Sequence, residues 1–463
     1  MNHFVKRRLI TVFSTLGIIS ASTQVLASGF QLWEQDGASV GNYHAGYAAE
    51  ASNASTAFYN PAGLTRIKNQ QLVVGASGIR THIKYVGDVG VTERSVTLAG
   101  IRPVTVNFTS VTAPAGTFSV VPNLQYAAPI GEQYAFGFSV DAPFGLKTNY
   151  GRTTPVRYAA TLSSITVVDI SPSLAMKVTD KISGGIGLNI QRSYAELNSV
   201  AGLISPNPFS SPRFINTSFD TLSKNKANGT GYGFTLGLLY EFTPCTRAGI
   251  SYHSQVVHHL SGSSKFTGNI ANVLNGGPIV SSRAIANVKL PPYTALSIFN
   301  QFSPQWAVMG SVIYTQWNTF RNLSLDNIAG AVDAVPLAAP STNINVNIPE
   351  RYRNTYNISL GGNYYYSDCI ILRTGLGYDR SPVSDVYRNV QLPDNNRYSL
   401  GLGAHYQATK NIGFDASWLH VFFAGDATVN PPPQVTGAAT VSTNGYANGS
   451  ADVISGQVVW DIA

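Results

Sequence analysis

From residue 71 onward the chain alternates with a period of two. In "YGFTLGLLYEF", Tyr232, Phe234, Leu236, Leu238, Tyr240 and Phe242 share one face, while Gly233, Thr235, Gly237 and Glu241 take the other. "KISGGIGLNIQ" and "RYSLGLGAHYQ" repeat the pattern, the second with tyrosines at both strand ends. Such alternation builds β-strands with one apolar and one polar face. The apolar face needs a cover, either a second sheet, as in a soluble sandwich, or lipid. Charged residues make up only 11% of the chain, against about 25% in an average soluble domain. Beyond the N-terminus there is no apolar run of roughly 18 residues, so spanning helices are excluded. A chain of this kind crosses a bilayer only as a closed barrel, because lipid leaves no partner for an open ladder edge.

Fourteen alternating segments lie between residues 71 and 462, an even number as a single-chain outer-membrane barrel requires. The seventh, eighth, ninth and twelfth are predicted at 247–260, 288–302, 306–320 and 391–407. Tight turns follow every even-numbered strand up to the twelfth: "PIGEQ", "VTDK", "FTPCT", "SPQ", "SDC" and "ATKN". Long connections follow strands one, five, seven, nine and thirteen. Short turns on one rim and long loops on the other distinguish an all-β, antiparallel transmembrane barrel from a sandwich. Both ends of the barrel segment then fall on the short-turn, periplasmic side.

The N-terminus carries Lys6, Arg7 and Arg8, an apolar stretch to about Ala21, and small residues at Val25-Leu26-Ala27. This reads as a secretory signal over residues 1–27. The remaining chain holds 27 basic and 23 acidic residues, a net +4 spread without any basic run. It offers no surface for nucleic acid. Cys245 and Cys369 fall in separate short turns and read as two free thiols.

Motifs for chemistry are sparse. "GASVG" at 37–41 matches a nucleophile-elbow pattern around Ser39, but no strand precedes it, as that chemistry requires. His258 and His259 are adjacent and read as loop residues rather than a shared metal site. No dinucleotide, phosphate-loop or zinc spacing is present, so neither cofactor nor metal is expected. The lumen face is mostly Gly, Ser, Ala, Thr and Asn, side chains too small to fill a fourteen-stranded barrel. Residues 28–70 precede the first strand and are available to fill it. They include "AFYNPAGL", which lacks strand period and carries an Asn-Pro bond. A second irregularity sits in strand three, "FGFSVDAPFGLKTNYG", where Pro143 and Gly145 interrupt clean alternation. Proline cannot donate to the ladder, so the strand either bulges there or ends at its loop.

These stretches resemble the outer-membrane long-chain fatty acid transporter (FadL) family. The resemblance is carried by "SGFQLWEQDGASVGNYHAGYAAEASNASTAFYNPAGLTRI", "VDAPFGLKTNYG", "LPPYTALSIFNQFSPQWAVMGSVIYTQW", "RYRNTYNISLGGNYYYSDCIILRTGLGYDRSPV" and "LPDNNRYSLGLGAHY". It implies a signal peptide (1–27), an N-terminal hatch (28–70) and a fourteen-stranded barrel (71–463) in the outer membrane of a Gram-negative bacterium. Asn60, Pro61 and Ala62 would be the hatch motif. Asp141, Ala142, Pro143, Phe144 and Gly145 would form a kink opening the barrel wall sideways. A carboxylate ligand would want a basic partner; by register the family's positions fall here on Ser199 and Ser324, and Arg192 and Arg321 are the nearest basic residues.

The expected function is passive transport of a hydrophobic molecule, a long-chain fatty acid or a neutral hydrocarbon, by a monomer surrounded by outer-membrane lipid and lipopolysaccharide. Lateral exit has a physical motive, since moving an acyl chain from an apolar site into water costs about 0.8 kcal/mol per CH₂. A general porin and a barrel-borne hydrolase using Ser39 are the competing classes.

Overall fold

The computed structural model describes residues 29–204, 213–332, 339–436 and 439–462; the expected signal segment 1–27 and the terminal Ala463 lie outside the described residues. Fourteen strands run in sequence around an antiparallel ring. They are β1 (Gln70–Thr97), β2 (Phe118–Ile130), β3 (Tyr134–Asn149), β4 (Leu162–Lys177), β5 (Ile182–Ala201), β6 (Thr221–Thr243), β7 (Thr246–His253), β8 (Tyr293–Gln301), β9 (Trp306–Thr315), β10 (Thr355–Ser367), β11 (Ile370–Asp379), β12 (Arg397–Gln407), β13 (Ile412–Phe423) and β14 (Ala439–Ile462). The ring closes where β1 pairs with β14, from Gln70↔Ile462 to Glu93↔Ala439.

Burial decides between the two covers that period-two alternation allows. Ile186, Leu188, Tyr232, Leu238, Tyr398 and Leu402 are exposed on the outside, whereas Ser183, Asn189, Thr235 and Ser399 are buried toward the lumen. A sandwich would bury the first set. Here the apolar set forms the outer surface, as a lipid-facing barrel requires.

Two expected strands are broken, each for a backbone reason. The segment 247–260 divides into β7 and a strand Val256–Gly268, because at Ser254 the side-chain Oγ, rather than a ladder carbonyl, accepts the Phe234 N–H at 2.8 Å. The segment 288–302 divides into Ile279–Leu290 and β8 at Pro291-Pro292, neither of which has an N–H to donate. The ninth strand stops at Thr315, where the chain turns to bury Trp317 completely. The twelfth begins only at Arg397, after Pro393 and the buried Asp394.

The long connections are themselves β-structure. Gly100–Pro114 continues the upper part of β1 as a hairpin, from Lys84↔Pro114 to Thr97↔Gly100. Val256–Gly268 pairs with Ile279–Leu290, and Asn322–Ala331 pairs with Pro340–Pro349. Their inner faces share an apolar core in which Val256, Leu260, Leu290, Leu323 and Ile348 meet Phe30, Phe144 and Trp317. His258 and His259 therefore lie on a strand rather than a loop, the first buried against Ser193 and Gln191 and the second exposed beside Asn287.

Residues 29–69 pack inside the ring. Two short helices, α1 (Gly37–Gly41) and α2 (Thr56–Tyr59), are followed by a 3₁₀ turn over Pro61–Arg66. Asp36 caps α1 by accepting the Ser39 N–H at 2.8 Å. The helix then docks on the small-residue floor of β12 and β13, where Ser417 Oγ donates to the Gly37 carbonyl at 2.6 Å.

Candidate functional site

Asn60 ties this inner segment to the wall. The following proline disfavours a helical backbone at Asn60, and the residue is extended at φ −156°, ψ 100°. That conformation turns its amide toward β6. Nδ2 donates to the carbonyls of Ala48 at 2.6 Å and Leu238 at 3.2 Å, and Oδ1 accepts the Ala62 N–H at 3.1 Å. Pro61, whose missing N–H costs nothing at a first helical position, opens the 3₁₀ turn. The close approach depends on glycine in the wall: a Cβ on Gly237 would collide with Asn60 Oδ1, and one on Gly185 with the Ala62 nitrogen.

The wall is interrupted at β3. Its pairing with β2 runs from Ile130↔Tyr134 to Leu124↔Val140 and stops there. On the other side, pairing with β4 slips between Asp141↔Asp169 and Phe144↔Val167, so one extra residue bulges from β3. Pro143 supplies no N–H at this point. The unpaired edge is taken by residues 30–32: Leu32 donates to the Pro143 carbonyl at 2.9 Å, Gly145 donates to the Phe30 carbonyl at 2.8 Å, and Gln31 faces Phe144 across the bridge. Gln125, on β2, reaches over the gap to Asp141 Oδ1 at 2.5 Å and to the Gln35 carbonyl at 2.9 Å.

One cavity lies at this interruption and another away from it. A small one behind the bulge is bounded by Phe58, Pro143, Phe144, Asp169, His253 and Tyr293. Asp169 Oδ2 accepts from Asn189 at 2.8 Å, while its buried Oδ1 has no partner among the described residues. A larger one lies among the extramembrane hairpins, walled by Leu197, Phe266, Leu325, Ile328, Val346 and Ile348, with Glu93 and Ser199 among its polar groups. Burial pushes the Glu93 carboxyl, in the part of β1 that rises above the membrane, up to about 7. Its Oε2 accepts the Ile204 N–H at 2.9 Å.

The sequence motifs thus fall in distinct places. Asn60, Pro61 and Ala62 meet β5 and β6, and Asp141 to Gly145 meet the N-terminal segment. Arg192 stands on the outer face, bonded to Thr230 and Asn228 and lying over Tyr194, and Arg321 is exposed with its Nε donating to the Asn318 carbonyl. Neither borders the larger cavity; Ser199 does and Ser324 does not. Ser39 is buried in α1, its Oγ 2.7 Å from the Tyr59 hydroxyl. Cys245 and Cys369 are free and exposed. Two participants escaped sequence reasoning, the Phe30–Leu32 edge strand and Glu93. The first left a signal, since Phe30 and Leu32 alternate with polar Gln31; the second left none.

A lipid-facing antiparallel ring of fourteen strands around a folded N-terminal segment defines a plugged outer-membrane β-barrel. The chain matches the family described as outer membrane protein transport protein (OMPP1/FadL/TodX) over residues 18–461 and belongs to it. It is 28% identical over 419 residues to a long-chain fatty acid transport protein of Escherichia coli O6:H1, covering 86% of this chain and 88% of the relative. In fold it is similar to a Pseudomonas aeruginosa FadL homologue, with a TM-score of 0.77 at 24% identity over 94% of this chain and 100% of the other. It is also similar to the toluene transporter TodX of Pseudomonas putida, with a TM-score of 0.64 at 17% identity over 95% and 100%. The protein is accordingly an outer-membrane protein of a Gram-negative bacterium in a family of transport proteins.

Proposed function

We propose that the barrel is a passive uptake channel for a hydrophobic small molecule, captured among the extramembrane hairpins and released sideways through the wall at β3. The observation that carries this reading is the β2–β3 ladder, which ends at Val140 and leaves an edge that the N-terminal segment occupies from Pro143 to Gly145. A solute leaving through the lumen would have to displace the packed segment 29–69. One leaving at β3 needs the Phe30–Leu32 strand and the Gln125 bridge to withdraw, a matter of two backbone hydrogen bonds, the Gln125 bonds to Asp141 and Gln35, and local apolar contacts. Residues 28–70 act in this scheme as a hatch, held by Asn60, Pro61 and Ala62, and Asp141 to Gly145 form the exit. The larger cavity supports the capture step by its apolar walls. The channel works as a monomer set in lipid and lipopolysaccharide.

The test is a disulfide across the bridge pair, Gln31→Cys with Phe144→Cys, in a chain whose Cys245 and Cys369 are replaced by Ser. The oxidised barrel is expected to lose uptake of a radiolabelled acyl chain or hydrocarbon, and reduction to restore it. Full uptake by the oxidised form rejects the lateral route. Rapid swelling of proteoliposomes with small sugars would instead identify a general porin.

A further inference from the structure

Resting on the channel reading, the chemistry of the route narrows its cargo. An ionised carboxylate buried in an apolar cavity is best matched by a cation, since an uncompensated charge there is strongly disfavoured; the neutral donors of the outer cavity, Ser163, Asn198, Ser199 and Asn225 among them, serve an uncharged oxygen as well. Among the described residues, no Lys or Arg borders either the larger cavity or the one behind the β3 bulge. Three of the cations nearest the outer cavity are paired with carboxylates. Arg157 pairs with Asp220 at 2.8 Å, while Lys224 and Lys226, on the opposite face of β6 from Ser223 and Asn225, both reach Glu196 at 3.4 Å. Within the lumen, Arg373 is held by Asp415 at 2.5 Å, Arg397 by Asp394 at 2.7 Å, and Arg247 donates to the carbonyls of Ala49 and Glu50.

Each cavity carries a carboxyl group instead. In the outer one, Glu93 is buried with one oxygen on the Ile204 amide and no second hydrogen bond among the described residues. In the inner one, the unpaired Oδ1 of Asp169 lies beside the exit. An anionic head group would meet a carboxyl at entry and again at release. A hydroxyl, carbonyl or ester oxygen would meet groups it can bond.

We infer that this chain carries an uncharged cargo, an apolar body ending in at most a hydroxyl, carbonyl or ester oxygen, and that Glu93 is the residue that bonds this oxygen and turns carboxylates away. The burial-raised proton affinity of Glu93 fits that role, since near neutrality a large share of the group is protonated and able to donate.

The experiment is native mass spectrometry of the intact barrel in nanodiscs at pH 7, equilibrated with equal concentrations of decanol, methyl decanoate and decanoate. Decanol and the ester are expected to be retained at least about tenfold more than the acid. Glu93→Gln should narrow that preference several-fold, and Ser199→Arg, which places a guanidinium in the same cavity, should bring decanoate to parity or above. Retention of decanoate by the natural chain equal to that of decanol overturns the inference while leaving the channel reading intact. Retention of none of the three removes the channel reading and the inference with it. Heat-modifiable migration on gels confirms that each variant has folded, and Glu93→Gln, being nearly isosteric, keeps the test open should Ser199→Arg not assemble.

Discussion

Gly145 of β3 donates its backbone N–H to the carbonyl of Phe30 at 2.8 Å, so the barrel wall borrows a strand edge from the first described residues of its own plug. Together with the Leu32 to Pro143 bond this contact supplies on the order of 1 kcal/mol per hydrogen bond net of solvation. The Phe30 ring is the stronger anchor. It packs edge-on against Trp317 at 4.8 Å, Phe320 at 5.5 Å and Phe144 at 6.0 Å between ring centres, and is almost wholly buried.

Truncating that ring should therefore free the edge without unfolding the ring of strands. Phe30→Ala is expected to cost about 3–5 kcal/mol locally, as for other buried Phe→Ala changes. Hydrogen exchange at the Leu32 and Gly145 amides should accelerate by orders of magnitude, while the thermal transition of the barrel, held by fourteen ladders, stays in place. Unchanged exchange at both amides would mean that the backbone bonds, not the ring, hold the edge.

The contact between plug and wall at Asn60 makes a different prediction. Gly237→Ala puts a methyl group where Asn60 Oδ1 lies, and Gly185→Ala puts one against the Ala62 nitrogen. In the same β5 stretch, a Cβ on Gly184 meets nothing closer than 3.9 Å. The first two substitutions should let the barrel assemble with a displaced hatch, seen as raised ion conductance in planar bilayers. Gly184→Ala should conduct like the natural chain. Equal conductance in all three would show that the Asn-Pro-Ala segment tolerates a shift of its seat.

What could be read from sequence follows from which forces are periodic. The wall was legible because lipid imposes a period of two on every strand, and Ile186, Leu188, Tyr232 and Leu238 lie where that period puts them. The bulge at Pro143 was legible because proline lacks a donor. Strands seven and eight are shorter than their alternation suggests because the pattern continues through Ser254 and up to Pro291, while the break is made by one hydroxyl and a missing N–H. The polar character of the cavities was not legible. Arg192 and Arg321 lie near the expected positions in sequence, but one step along a strand reverses the face, and nothing local says which face a cation takes. Glu93 comes to the cavity only because β1 rises far above the membrane and pairs there with β14.

Glu350 provides a pH-dependent signature for the extramembrane hairpins. Its carboxyl is completely enclosed, accepts one bond from Asn389 at 3.0 Å, and is pushed by burial up to about 8 from 4.5. The unfolded chain loses this proton near 4.5 and the folded one only near 8. Its stabilising contribution is thus fully present below the lower value and is lost as pH rises through the upper one. Glu350→Gln, which keeps an acceptor for Asn389, should therefore leave the hairpin unchanged at pH 4. By pH 8 to 9 it should stabilise the hairpin by on the order of a few kcal/mol. Exchange of the Glu350 and Arg351 amides, both donated to the Arg321 carbonyl, reports it directly. A stabilisation that does not vary with pH would place the effect elsewhere.

The two arginines nearest the expected head-group positions make the last comparison. Arg192 faces outward among Thr230, Asn228 and Tyr194, and Arg321 closes a surface turn on the Asn318 carbonyl. Exposed polar contacts of this sort contribute about 0–1 kcal/mol to stability, and neither guanidinium can reach a ligand in the cavity without its strand or turn inverting. Arg192→Ala and Arg321→Ala, singly and together, are expected to leave retention of decanol and of decanoate within about twofold of the natural chain, a change smaller than 0.5 kcal/mol in binding. A selective loss of decanoate in either variant would show that the loops rearrange on binding to bring that arginine inward, and would return the carboxylate to the list of cargoes.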